Sequence, residues 1–134
     1  MMEEFFNEFR RVVRPSGRWS SWSPYQFVDG WRTFVGEVRD GWTEDYYDYE
    51  NDLFIRDCLQ AALDHDGLNS WDAWQQLRTQ IEGIDNDFRE VLAEGPLVKP
   101  DAQWWWRARL PPRAGEDFVE EVERIFKVKL ALVD

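Results

Sequence analysis

Five carboxylates and three tyrosines fall within the nine residues EDYYDYEND, Glu44 to Asp52. Carboxylates held as a pair can act as general acid and base, or can ligate a hard cation. Set among tyrosines they can instead form a docking face, because carboxylates steer a cationic partner and the rings hold it by area and hydroxyl together. On a helix Glu44, Asp48 and Asp52 stand at i, i+4 and i+8 and share one face, although like charges at that spacing cost about 0.2–0.5 kcal/mol per pair. No Lys or Arg lies between Arg39 and Arg56 to relieve them. Catalysis or metal binding requires groups converging from several elements, whereas docking requires only the field and the rings. Glu44, Asp45, Tyr46, Tyr47, Asp48, Tyr49 and Asp52 are therefore the expected contact residues for a basic protein partner.

The other chemically capable residues offer this stretch no help. His65, the one histidine, sits in DHDG, where the negative end of a helix dipole favours it. Cys58 falls on an apolar arc and reads as a small buried hydrophobe. The two are seven residues apart, two helical turns, which is too far for a thiol–imidazole hydrogen bond. There is no HExxH and no Cys/His cluster, so zinc is not expected. Asp85-Asn86-Asp87 resembles the start of a calcium loop, but positions six and twelve are then Glu90 and Pro96 rather than Gly and Glu. Asp85 is better read as exposed or paired with Arg89 at i+4. Neither a glycine-rich phosphate loop nor G-x-S-x-G occurs. No catalytic residue, metal ligand or cofactor is predicted, and the chain is not expected to be an enzyme.

Two further motifs carry chemistry. WWWRARLPPR brings Trp104, Trp105 and Trp106 together with Arg107, Arg109 and Arg113. In a strand, Trp104 and Trp106 would point one way and Trp105 the other. That gives two core rings and one ring on the surface, or a recognition patch for a small molecule or peptide. Trp105 joins the candidate contact residues on this ground. RRVVRPSGR carries Arg10, Arg11, Arg14 and Arg18 with no acid among them. Alone it would suit phosphate; in so acidic a chain it is expected to pair internally.

The net charge is −11, and residues 37–66 hold ten acids against two bases. A block this concentrated is a field directed at something, and it is a poor surface for nucleic acid. No apolar run approaches the ~18 residues that read as a membrane span. The N-terminal MMEEFFNEFRR is acidic and then amphipathic, unlike a signal peptide, and a single cysteine suits a reducing cytoplasm. A length of 134 residues, 16% of them aromatic, suits one domain, residues 1–134, able to bury its own core.

The positioning elements follow from periodicity and punctuation. Phe5, Phe6, Phe9, Val12 and Val13 mark a first helix, ended by Arg14-Pro15-Ser16-Gly17. Ser23-Pro24-Tyr25-Gln26 reads as a capping box with proline in the first turn, opening a second helix to Asp40-Gly41. Thr43 is the expected cap of a third helix, with Glu44 and Asp45 in its first turn, running through the apolar Leu53–Leu63 arc to Asp66-Gly67. Ser70 is the expected cap of a fourth, whose stripe runs Trp71, Trp74, Leu77, Ile81, Ile84, Phe88 and Val91. Prolines and glycines between 96 and 115 exclude helix there. A last helix over 116–127 turns Phe118, Val119, Val122, Ile125 and Phe126 inward. The tail VKLALV alternates as a strand that would pair with residues 104–110.

The expected fold class is thus mainly α, a compact bundle of about five helices with a short two-stranded β element near the C-terminus, α+β being the alternative. The expected function is an acidic stoichiometric binding protein docking on a basic partner, in particular an inhibitor such as an immunity protein or antitoxin neutralising a nuclease-like toxin. A binding module built on the Trp-rich segment 104–106 is the alternative, and a carboxylate-dependent enzyme stands behind it.

Overall fold

In the computed structural model, residues 2–133 are described. The chain is mainly α, with six helices among these residues: α1 (Met2–Val13), α2 (Pro24–Gly41), α3 (Tyr46–Asp52), α4 (Phe54–Leu63), α5 (Asp72–Ala93) and α6 (Glu116–Phe126). Two short strands, β1 (Arg113–Ala114) and β2 (Ala131–Leu132), pair in parallel. No helix is long and apolar enough to cross a membrane. The chain divides into two compact units, each made from two stretches: Met1–Arg32 with Phe54–Ile84, and Thr33–Leu53 with Asp85–Asp134.

The first unit is assembled on the aromatic stripe of α1. Phe5, Phe9 and Val13 recur every fourth residue and are all buried. Phe9 packs on Phe27 (ring centroids 5.6 Å) and on Trp74 (5.9 Å), and Phe5 packs on Trp71 (5.7 Å). Each such ring, fully buried, contributes about 1.5–3 kcal/mol of transfer free energy. The capping box forms as expected: the Gln26 amide donates to Ser23 Oγ (3.3 Å) and the Ser23 amide to Gln26 Oε1 (2.8 Å). Ser70 does not cap α5. It lies in a 3₁₀ turn, Asp66–Ser70, and its hydroxyl donates to the Gly67 carbonyl (3.2 Å).

In the second unit Phe34, Trp42, Tyr49, Phe88, Trp106 and Phe118 are buried. Phe34 touches Trp42, Tyr49 and Phe88 at centroid distances of 5.3, 5.4 and 5.8 Å, and Tyr49 meets Phe118 edge-on at 5.1 Å. Edge-to-face pairs of this kind add about 0.5–1.5 kcal/mol beyond area burial. The expected third helix is two helices, broken at Leu53. Its cap is Asp45 rather than Thr43, with the carboxylate accepting from the Asp48 amide at 2.8 Å. Ile125, expected inward, is 48% exposed, while Phe118 and Val122 carry the buried face of α6.

The tail pairs elsewhere than expected. Residues 104–110 form no strand; Trp105–Arg107 is a 3₁₀ turn, and Leu97 bridges Arg109 in antiparallel register. The tail instead lies beside β1, with Arg113 opposite Ala131 and Ala114 opposite Leu132. The backbone of the Trp segment is already committed, because the Val98 and Lys99 amides both donate to the Ala108 carbonyl (2.9 and 3.0 Å) and the Leu110 amide donates to the Pro96 carbonyl (3.0 Å).

Candidate functional site

The acidic, Tyr-rich stretch separates by burial into residues that build the second unit and residues that face solvent. Asp45 is the helix cap, and its carbonyl accepts from the Trp42 indole (3.1 Å). Tyr49 is 2% exposed and presents no surface to a partner. Its burial is the consequence of standing one turn beyond the cap on the face turned to Phe34 and Phe118. Tyr46 is half-buried, edge-on to Phe118 and Phe126 (5.7 Å each), and its amide donates to Glu121 Oε1 (3.1 Å).

Glu50 is the residue that ties this stretch to the Trp segment. Its Oε1 accepts from the Tyr46 hydroxyl (2.7 Å) and from Lys99 Nζ (2.6 Å), and its Oε2 accepts from Arg107 Nη1 (2.6 Å). Burial disfavours its charge, but the hydrogen bonds from Lys99 and Tyr46, and the charges of Lys99 and Arg107, outweigh burial and hold the carboxyl below its usual range. Sequence spacing gave no sign of this, since both cations lie far along the chain.

Tyr46 and Tyr49 supply a pH response. Burial first, then the neighbouring Glu50, push both phenols well above their usual value. A pKa raised on folding gives stability that is complete below the unfolded value, about 10 for tyrosine, and is lost as pH rises past it. The urea midpoint is therefore expected to hold from neutral pH to about 9 and to fall above about 10. Among the described residues the Tyr49 hydroxyl has no hydrogen-bond partner. Tyr49→Phe should accordingly be near neutral at pH 7 and should blunt the alkaline loss. An unchanged alkaline slope in Tyr49→Phe would show that this phenol does not ionise on unfolding.

What remains outward is Glu44 and Tyr47, the latter 72% exposed, with Asp48 and Asp52 half-buried. Glu44 precedes α3 rather than lying on it, so the three acids do not form one helical ladder. Glu44 and Asp52 nevertheless act together on Glu37 of α2. The Glu37 carboxyl is pushed above its usual value by burial and then by the charges of Asp52 and Glu44.

The Trp segment is accounted for within the fold. Trp106 is buried and stacks on Trp104 (5.1 Å, 11° between planes). Trp105 is half-buried against Phe88 (6.1 Å), with the Arg89 guanidinium over its face at 4.1 Å. Arg89 also donates to Asn86 (3.1 Å), and Asp85 is buried rather than exposed. Cys58 is buried, and burial pushes its thiol up to about 12, so it is no nucleophile at neutral pH. Among the described residues no cluster of three or more His, Cys, Asp or Glu side chains is arranged to hold a metal ion.

The arginines of the basic run have different neighbours. Arg10 sits over Phe6 (6.0 Å) and Arg18 over Trp19 (4.5 Å), while Arg11 and Arg14 line an open groove with Glu8, Val12 and His65. No protein-family model, no curated protein and no solved structure matches the chain.

Proposed function

We propose that this chain is an acidic stoichiometric binding protein that docks on a basic protein through the face carrying Glu37, Glu44, Asp48, Asp52 and the exposed ring of Tyr47. The observation that carries this reading is the concentration of carboxylates here, ten acids against two bases over residues 37–66, with Asp52 and Glu44 close enough to add to the effect of burial in raising the Glu37 carboxyl. Crowding like charges destabilises the isolated protein, and a cationic partner would relieve it on binding. The charge is also segregated. The unit containing this face holds 18 acids and 9 bases, whereas the other holds 9 acids and 7 bases. Tyr47 supplies an amphipathic anchor of the kind enriched at interface centres. Within this class, an inhibitor acting in the cytoplasm on a nuclease-like toxin fits best, because a surface built to hold a polyanion is basic and its inhibitor must present the opposite field. The Trp segment is left out of the contact surface because its rings are engaged with one another, with Phe88 and with Arg89.

The test measures association with a panel of basic nucleases by stopped flow across a salt series. Binding should be 1:1, with an on-rate that falls as salt rises. Reversing Glu44, Asp48 and Asp52 to Lys should slow association about ten-fold or more at low salt while leaving the Asp45 cap and the Glu50 bonds in place. If both the on-rate and its salt dependence survive the triple reversal, the steering reading is wrong.

A further inference from the structure

We infer that the groove at the C-terminal end of α1 is a binding site for a phosphate monoester on a hydroxylated carbon skeleton. The groove has a volume of about 550 Å³ and is lined by Glu8, Arg11, Val12, Arg14 and His65, all within the first unit. That volume is typical of small-molecule sites. Its donors come from two separate stretches: α1 and the residue after it supply the guanidinium groups, and His65, at the start of the 3₁₀ turn after α4, supplies an imidazole.

Three observations point to a ligand rather than to an ordinary charged helix end. First, Arg14 is held in the left-handed region, φ 53°, while its amide closes α1 onto the Arg10 carbonyl (2.8 Å). This is the position where glycine is the residue of lowest cost, because it has no Cβ to crowd the backbone. The helix dipole accounts for a positive charge here; it does not account for placing that charge on strained backbone. Second, among the described residues no hydrogen bond or ion pair engages the side chain of Arg11 or Arg14. Two guanidinium charges therefore line the groove against the Glu8 carboxylate and the ~0.5 negative charge of the helix end.

Third, the glycine at 67 lets two of the lining residues, His65 and Glu8, come together over its Cα. A Cβ on Gly67 would stand 2.8 Å from His65 Nε2 and 3.4 Å from Glu8 Oε2. Glu8 is oriented by the Trp71 indole, which donates to its Oε1 at 3.3 Å, leaving Oε2 beside Gly67. Arg11, Arg14 and His65 thus present donors to an oxyanion, with the guanidinium groups suited to the planar, forked recognition of phosphate. Glu8 presents an acceptor that would repel bare phosphate but accept a hydroxyl. A phosphorylated polyol or sugar satisfies both ends.

The test is a titration of ¹⁵N-labelled protein with glucose 6-phosphate, with inorganic phosphate, glucose and chloride as separate arms at matched ionic strength. Glucose 6-phosphate should produce saturable shifts confined to residues 8–14, residues 65–68 and the Trp71 indole N–H. Inorganic phosphate should bind the same place more weakly, and glucose and chloride should leave it unmoved. Arg14→Gly should weaken binding about ten-fold or more, the loss of one charge-assisted contact, while raising the thermal midpoint by removing the backbone strain. Arg32→Gln, an exposed arginine of the same unit that does not line the groove, should bind as the parent does. Shifts that do not saturate, that chloride reproduces, or that persist unchanged in Arg14→Gly overturn the site. Phosphate binding as tightly as glucose 6-phosphate overturns the role given to Glu8.

Discussion

Gly95→Ala should destabilise the protein by more than about 3 kcal/mol, placing it among the exceptional single substitutions. A Cβ at this position would collide with the backbone carbonyl oxygen of Leu110 and crowd the carbonyl carbons of Leu110 and Pro111. A side-chain obstacle could rotate away, but this one is main chain. Leu110 is fixed by its amide bond to the Pro96 carbonyl (3.0 Å), and the Gly95 carbonyl itself accepts from Arg109 Nη1 (2.9 Å). The comparison that isolates the cause is Gly83→Ala. Gly83 lies inside α5 with nothing within 4 Å of a built Cβ, so alanine there should stabilise by about 0.5–1 kcal/mol through helix propensity alone. The same chemical change thus carries opposite signs at two sites twelve residues apart. Urea denaturation of both variants decides the matter, and a Gly95→Ala midpoint at or above the parent's would refute the close approach.

Glu50→Ala should cost about 2 kcal/mol, between the ~0–1 kcal/mol of an exposed ion pair and the ~3–5 kcal/mol of breaking a buried one. The position justifies the middle value: the Glu50 side chain is 27% exposed, and its partners Lys99 and Arg107 are 37% and 22% exposed. Truncation leaves an ammonium, a guanidinium and a phenol without their common acceptor. The pH dependence has the sign of a depressed carboxyl. The contribution is complete above the unfolded value near 4.3 and is lost as pH falls through the lower folded value, so parent and Glu50→Ala should converge in stability in acid. A double-mutant cycle with Lys99→Met measures the pair directly, and a coupling energy indistinguishable from zero would show that the short contacts contribute nothing.

Both predictions concern places where reading along the chain gives little warning. The local rules served well where cause and effect lie within a turn or two. The Ser23–Gln26 box forms, and the Phe5–Phe9–Val13 stripe and the long rhythm through Trp74, Leu77, Ile81, Ile84 and Phe88 are buried as their periodicity requires. The break at Leu53 is illegible because apolar residues continue across it, so the pattern carries no punctuation. The Trp segment misleads for another reason. Aromatic residues favour strands only as side chains that fit a pleated, half-buried surface, and a 3₁₀ turn buries the same rings equally well. Glu50 was hidden inside the acidic run because its role is set by Lys99 and Arg107, 49 and 57 residues away in sequence. That run was legible as a charged surface, yet Asp45, Tyr46, Tyr49 and Glu50 are committed to the fold, and the outward face is smaller than its composition suggests.

The interleaving of the two units bears on how the chain can be assembled and dismantled. Each unit is drawn from two stretches, and residues 54–84 of one are inserted between the two halves of the other. A ribosome emitting the chain from its N-terminus finishes the first unit at residue 84 while holding only the opening 21 residues of the second, 33–53. Those residues include Tyr49 and the acidic run, whose partners Phe118, Lys99 and Arg107 have yet to be made. For that interval the run is polyanionic chain lacking the later partners of its Tyr49 ring and Glu50 carboxylate. Its charge then acts as a solubilising guard, keeping like segments apart until β1 and β2 can pair at residues 113–114 and 131–132. The inserted arrangement also means that no single proteolytic cut releases either unit whole.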